Sequence, residues 1–459
     1  MRTSIKLPSL LKKFSPILCF LLIGFVVNAQ DAPKAPEETD RSGEGEVEVR
    51  KGESRRRPVI DTLTYETQPG LPMAASKIYF SDKKFTVSGF GELAYTNYLG
   101  PKDVQSGDIE LYMTNLYRFV SYMAYKPKDW LVLYGEIFAE YFQDWGHEAD
   151  HEIFIEAFAD FLIDRRFNLR VGTHQVQLGY VNNNDEPIQI FSVNRPDVER
   201  IIIPSQWIDL GIMTYGAINN DLSYTFSVYQ GLDANNLRGG TWIRGGRANA
   251  LRFNFNSYIL NSQLNYTGIK NTTLSASGIY TRVGDGEEVA MNGGLAPVTA
   301  NTALVSGYSR TELKRWTIMM LGTYGRMGQT DRIEALTGEV LGNSVYGGYL
   351  EVGYDLMPFF KRRNGERTRT MLYRSDEVRM PVFARYERLN THRAIHPDLL
   401  RPEHEVFASD LHTLTVGLNF NPRRNIVVKG NYQFRYNRIP LSTGEREGNR
   451  VEIGAGFIF

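Results

Sequence analysis

From Lys84 onward the sequence alternates apolar and polar side chains with a period of two, in segment after segment. In Phe85–Tyr95 the apolar residues Phe85, Val87, Leu93 and Tyr95 are interleaved with Thr86, Ser88 and Glu92. Leu131–Tyr141 places Leu131, Leu133, Ile137, Ala139 and Tyr141 on one face, and Glu136 and Glu140 on the other. His151–Ile163 sets Ile153, Ile155, Ala157, Ala159, Phe161 and Ile163 against Glu152, Glu156 and Asp160. Asn425–Asn437 is the clearest case, with Ile426, Val428, Tyr432, Phe434 and Tyr436 opposite Lys429, Asn431, Gln433, Arg435 and Asn437. Successive side chains of a strand point to opposite faces, so this is a strand period.

A soluble sandwich also alternates. It rarely combines strands of this length with aromatic ends on the apolar face. A barrel in a membrane needs both features. Hydrocarbon offers no partner to a backbone N–H or C=O, so only helices and closed barrels cross it. After the N-terminus no run of roughly 18 apolar residues exists to make a spanning helix. Spanning strands need about ten residues each, apolar outward and polar inward. The expected fold is therefore all-β: a transmembrane antiparallel β-barrel of about 16 strands.

The segments begin near Phe85, Ile109, Leu131, Ile153, Leu169, Ile208, Leu222, Tyr258, Leu274, Thr302, Thr317, Tyr346, Val382, Leu411, Ile426 and Val451. Short connections (Lys126–Asp129, Asp164–Asn168, Asn219–Asp221, Lys270–Thr273, Leu313–Arg315, Asn421–Asn425) alternate with long ones such as Gly231–Ser257, Val283–Asn301, Met327–Ser344 and His392–Ser409. Short periplasmic turns and long outer loops are the pattern of outer-membrane barrels. Pro358–Met380, with its Lys361-Arg362-Arg363-Asn364-Gly365 core, is a long connection on the short side. Parity makes Val181–Trp207 the third outer loop. Its polar groups and its apolar anchors, Ile188, Ile190, Phe191, Ile201, Ile202 and Ile203, suit a loop folded back into the lumen. The last segment alternates Val451, Ile453, Ala455 and Phe457 and ends on Phe459, as last strands of bacterial outer-membrane barrels do.

Residues 1–29 read as a signal peptide. Arg2, Lys6, Lys12 and Lys13 precede the apolar Phe14–Val27, and Val27-Asn28-Ala29 offers small residues for cleavage before Gln30. Residues 30–75 are polar and aperiodic and read as a flexible periplasmic arm, whose Arg55-Arg56-Arg57 cluster reads as solvated rather than bound to lipid or peptidoglycan. Residues 76–459 are assigned to the barrel. Removing 1–29 takes away four of the 52 Lys/Arg and none of the 52 Asp/Glu, so no basic excess points to nucleic acid. It also removes Cys19, the only cysteine, which excludes disulfides and thiol catalysis in the mature chain.

Four stretches, NLRVGTHQVQLGYVNNNDEP (168–187), RPDVERIIIPSQWIDLGIMTYG (195–216), GGYLEVGYDLMPF (347–359) and PVFARYERLNTH (381–392), resemble the outer-membrane porins of the phosphate-selective porin O/P type, in the Bacteroidetes-like form. The resemblance covers roughly residues 85–459. It implies a 16-stranded barrel in the outer membrane of a Gram-negative bacterium, often a homotrimer, with the third loop in the pore. Phosphate-selective members are lined by a ladder of Arg and Lys. Here residues 76–200 hold 12 Lys/Arg against 19 Asp/Glu, and residues 361–450 hold 18 against 10. No phosphate box carries over residue by residue.

The expected pore-lining carboxylates are Glu92, Glu136, Glu140, Glu152, Glu156 and Asp160. The expected pore-lining cations are Arg170, Arg385, Lys429 and Arg435, with His174 beside them. Constriction candidates on the loop are Asn182, Asn183, Asn184, Asp185, Glu186, Arg195, Asp197, Glu199 and Arg200. Opposed acidic and basic walls set ion preference in a narrow pore, and here they predict a weak one. The alternative is that these groups pair and simply wet the lumen. Asp144, Glu148 and Asp150 with His147 and His151 form an acidic outer-loop group that reads as solvated rather than calcium-binding. No nucleophile elbow, metal helix or phosphate-cradling loop occurs, so no enzyme, cofactor or metal is expected. The expected function is passive diffusion of small hydrophilic solutes or ions, with anions such as phosphate among them. The rival is a non-conducting barrel that anchors a periplasmic or surface partner.

Overall fold

The computed structural model describes residues 67–102, 113–143, 150–248, 253–291, 293–360, 374–400, 408–439 and 446–459. Sixteen strands follow one another: β1 Phe85–Leu99, β2 Asn115–Lys128, β3 Leu131–Gln143, β4 Asp150–Phe161, β5 Asn168–Gln175, β6 Ile208–Ala217, β7 Leu222–Gln230 and β8 Tyr258–Ile269. Then come β9 Thr272–Met291, β10 Gly294–Leu313, β11 Trp316–Met327, β12 Ser344–Asp355, β13 Pro381–Ala394, β14 Asp410–Arg423, β15 Ile426–Asn437 and β16 Asn449–Ile458. Each pairs with its sequence neighbour, and β1 pairs with β16 to close the sheet.

Closure leaves no sheet edge. At the seam the Gly89 N–H donates to the Phe459 carbonyl (3.1 Å), and the Phe459 N–H donates back to Gly89 (2.9 Å). Gly91 stands opposite Phe457, and a Cβ there would lie 2.6 Å from the Phe457 ring. The glycine lets the ring lie flat across the junction, where Phe459 also stacks with Phe119.

The faces divide as the period of two requires. Leu93, Tyr95, Leu133, Ile137, Tyr141, Ile153, Ile155, Val428, Phe434 and Tyr436 point outward and are exposed. Their alternating neighbours Glu92, Glu136, Glu140, Glu156, Asp160, Lys429 and Arg435 point inward and are buried. Exposed large apolar side chains recur on strands all round the barrel, whereas a soluble monomer rarely shows a contiguous apolar patch larger than a few hundred Å². Such a surface belongs in lipid, and the chain is a transmembrane barrel.

Three expectations need correction. Ile109 lies outside the described residues, and β2 starts at Asn115. Val283–Asn301 is no loop: β9 and β10 continue as a hairpin to Met291 and Gly294, with a register shift between Val298 and Ala300. Gly284-Asp285-Gly286 looks like a turn in sequence, yet Val283, Glu287, Glu288 and Val289 pair across to β10. Third, the barrel takes in residues before 76. Leu71, Ala74, Ala75 and Ile78 are buried against Phe90, Val120, Tyr122 and Tyr134 of the inner wall. The 3₁₀ helix Ala75–Phe80 carries this contact. Nothing periodic marks so short a plug. Residues 1–66, with the expected signal and most of the arm, lie outside the described residues, as do Arg55–Arg57 and Lys361–Gly365.

Gly91→Leu is expected to force Phe457 off the seam and reduce the fraction of folded barrel several-fold. Loss of the heat-dependent mobility shift in an SDS gel measures this; an unchanged shift would mean that the ring can move aside freely.

Candidate functional site

The connection from β5 to β6 leaves and returns at one point, where the Val176 N–H donates to the Trp207 carbonyl (2.8 Å). Asn182 braces this neck. Its Nδ2 donates to the carbonyls of Leu178 (3.2 Å) and Pro204 (3.1 Å), and its Oδ1 accepts from the Trp207 N–H (3.4 Å). Gly179, at φ +71°, brings the backbone close to Glu199; a Cβ would lie 2.7 Å from the carboxylate. Glu199 then accepts the Tyr180 and Val181 N–H groups (2.7 Å each) and the Tyr349 hydroxyl of β12 (2.7 Å).

Beyond this neck the loop is bonded to inward side chains on the other side of the barrel. Arg385 Nη1 of β13 donates to Ser192 Oγ (2.6 Å), and Lys429 Nζ of β15 donates to the Ser192 carbonyl (3.0 Å). The Val193 N–H donates to Asn431 Oδ1 (2.8 Å). Asn194 Nδ2 donates to Thr96 Oγ1 of β1 (2.9 Å) and Glu452 Oε1 of β16 (2.8 Å). Asp197 pairs with Arg435, and with Arg200 and Arg450 at 3.8 Å each. Glu447 accepts from Arg435 (2.6 Å) and Arg450 (3.0 Å). Burial alone would raise the Asp197 carboxyl; Arg435, Arg450 and Arg200 outweigh burial and hold it below the usual carboxylate range.

The remaining loop candidates are placed as follows. Asn183 Nδ2 donates to Gln263 Oε1 of β8 (3.1 Å), and Asn184 Nδ2 donates to the Tyr180 carbonyl (2.9 Å). Asp185 Oδ2 stands 4.0 Å from Arg195. Glu186 accepts the Ala74 N–H of the N-terminal plug. Burial pushes the Glu186 carboxyl up to about 8, against the Ala74 hydrogen bond, which favours its charged form.

Charges on both walls are paired, as the alternative reading of the sequence has it. Arg118 sits on the acidic wall and binds Glu92 (3.4 Å) and Glu140 (3.1 Å). Arg170, expected in the pore, is bonded to Asp160 (2.9 Å), which also accepts the Tyr79 (2.6 Å) and Tyr215 (2.9 Å) hydroxyls. His174 is buried beside the Tyr229 hydroxyl, 3.0 Å away. On the basic wall Arg385 pairs with Glu351 (3.1 Å) and Glu387 (3.3 Å). Regional charge counts cannot reveal such pairing, because partners come from adjacent strands. Arg118, Arg450, Glu351, Glu387 and Glu452 were missed, although each has the inward parity of its strand, and so was Glu447, which precedes β16. Glu152 has that parity too, but it is exposed at the end of β4. Asp150 and His151 are exposed, and Asp144, His147 and Glu148 lie outside the described residues.

Nor is the interior simply polar. Trp207, Leu237, Trp242 and Ile243 from connections are buried with the inward Ile259, Ile279, Leu304, Leu321, Val345 and Leu389. Gly325 makes room for Trp242, since a Cβ there would lie 2.5 Å from its ring. Two cavities flank Asp185. One, of about 20 Å³, is lined by Glu136, Phe138, Phe154, Gln175, Asp185, Gln206 and Ile208. The other, of about 10 Å³, has Glu92, Arg118, Asp185, Asn194, Arg195 and Arg200 among its lining. A water needs about 10–15 Å³, so each holds about one.

No family model matches the chain. An uncharacterized protein of Aquifex aeolicus (strain VF5) is 27% identical over 392 residues, which cover 82% of this chain and 81% of that one. Among solved structures the outer membrane channel DcaP of Acinetobacter baumannii matches with a TM-score of 0.50 at 10% identity, over 82% of this chain and 97% of that one. OmpF of Salmonella typhi, in complex with daunomycin, gives a TM-score of 0.48 at 10% identity over 82% and 97% of the two chains. An anion-selective porin of Comamonas acidovorans gives 0.44 at 12% identity over 82% and 99%. At these identities the likeness to DcaP establishes a shared fold.

The plug and the loop meet at Glu186, which yields a pH prediction. Its carboxyl binds a proton more tightly buried than in water, so the packed form is favoured most below the ordinary carboxylate range and loses that advantage progressively as pH rises to about 8. Protease accessibility of the loop is expected to increase several-fold between pH 6 and pH 9, and Glu186→Gln to flatten the profile.

Proposed function

We propose that this protein is an outer-membrane porin-like channel through which small hydrophilic solutes or ions diffuse passively, restricted by the connection between β5 and β6. The observation that carries this reading is the path of that connection. It is bonded to charged inward side chains of β13, β15 and β16, inside a barrel whose outer face is apolar. A narrow passage lined by fixed charges of both signs selects by size and charge. The reading includes kinship with the phosphate-selective O/P type, export by the signal at residues 1–29, residence in a Gram-negative outer membrane, and assembly as a homotrimer. The fold shared with DcaP, an outer membrane channel, supports the placement.

One observation favours the non-conducting rival. The two cavities beside Asp185 are each about one water in size, and residues 67–80 pack into the same interior. Conduction therefore requires the loop to yield. Its anchor at Asp197 is the place to test this, because breaking a buried ion pair costs about 3–5 kcal/mol.

Purified protein in a planar bilayer is expected to give small stepwise conductances. Asp197→Ala frees the loop from Arg435 and Arg450 and is expected to raise single-channel conductance at least twofold. Silence of both proteins at high load would favour the anchoring barrel, and mass in mild detergent reads out the trimer.

A further inference from the structure

The interior ion pairs do not reach every buried carboxylate among the described residues, and one such place lies between the loop and β3–β4. Arg118, Arg170, Arg385, Arg435 and Arg450 each have a carboxylate partner within 3.4 Å. The basic groups of β13, β15 and β16 are thus taken up by the loop and by their own wall. Two inward acids of β3 and β4, Glu136 and Glu156, have no such ion pair, unlike Glu140 with Arg118 and Asp160 with Arg170. Glu136 and Glu156 stand directly opposite each other across the strand pair. Both face inward, where directly paired residues hold their Cβ atoms about 5 Å apart. Neither Glu156 oxygen has a hydrogen-bond partner, and the side chain is 1% exposed.

The cavity beside them repeats the pattern. Asp185 and Gln175 both line it, both are buried, and neither Asp185 Oδ1 nor Gln175 Oε1 has a hydrogen-bond partner. Glu136 and Gln206 add further oxygens to a lining that Phe138, Phe154 and Ile208 complete, around a space of about 20 Å³. A buried, unpartnered carboxylate is costly unless a proton or a cation compensates it. Among the described residues no three His, Cys, Asp or Glu are grouped so as to hold a metal ion. The spacing therefore suits a loosely held monovalent cation in transit rather than a caged divalent metal.

We propose that Asp185, Gln175, Glu136 and Glu156 form a cation subsite between the loop and the β3–β4 wall, and that this subsite makes the channel prefer small monovalent cations. The proposal rests on the channel reading and names its substrate class. The loop is fastened by ion pairs to the basic wall, whereas on the acidic wall it meets carboxylates with a water-sized gap between. Separation is easiest where adhesion is weakest, so the passage opens along the acidic side. An anion taking that route would pass Glu136, Glu156 and an Asp185 whose arginine, Arg195, stands 4.0 Å away; a potassium ion would find oxygens at each step.

The test is the reversal potential of the full-length protein in planar bilayers under a tenfold potassium chloride gradient. The wild type is expected to favour potassium over chloride at least threefold. Glu136→Gln with Glu156→Gln, and separately Asp185→Asn on the loop, are expected to bring that ratio near unity while conduction persists. The single loop substitution keeps the test independent of whether the strand variant folds. An anion-directed potential in the wild type, or an unchanged ratio in Asp185→Asn, overturns the cation subsite and leaves the channel standing. Absence of current from the wild type and from Asp197→Ala overturns both.

Discussion

A backbone amide in hydrocarbon has no partner except another backbone group, and the rest of this structure depends on that constraint. It requires the sheet to close, which fixes β16 against β1 and gives Phe457 and Phe459 their place over Gly91 and Gly89. It also fixes the two faces. Once the outside must be apolar, every residue of the alternate set points into the same enclosed interior. The chain's charges are then concentrated where water is scarce.

That concentration sets the second level of organisation. A carboxylate held inside a protein needs a cation, several donors or a proton. Here all three solutions are visible. Asp160 has Arg170 and two tyrosine hydroxyls. Glu452 accepts from the amides of Asn194, Asn431 and Gln433. Glu186 has one backbone N–H and a carboxyl pushed up to about 8. The loop takes part in each kind of solution, so it is an internal wall of the barrel as much as a surface connection. Trp207 and Trp242 extend that wall with apolar packing. The interior is consequently part polar lumen and part dry core.

Much of the fold was legible because strand periodicity is local. The face of Glu92, Glu136, Lys429 or Arg435 follows from counting by two. The starts of β1, β3, β6, β7, β8 and β15 fall on the residues expected, Phe85, Leu131, Ile208, Leu222, Tyr258 and Ile426. The hairpin extension of β9 and β10 was hidden because glycines within a strand mimic a turn. The candidate site was less legible. Counting by two says that Arg170 points inward but not that it is bonded to Asp160, and it says nothing about which loop residue reaches Arg435. The first pair joins neighbouring strands, and the second joins residues distant in sequence, Asp197 and Arg435.

The sequence by itself determined the membrane-facing surface, the closure of the sheet and the identity of the inward charges. Each is a matter of side-chain period and of the need to pair backbone groups in lipid. Only the tertiary structure decided which charges neutralise one another, that residues 67–80 share the interior with the loop, and that Glu136 and Glu156 are left beside Asp185 with no basic residue between them. Ion pairing falls off over a few ångströms, and in a barrel those few ångströms join residues that the chain keeps hundreds of positions apart.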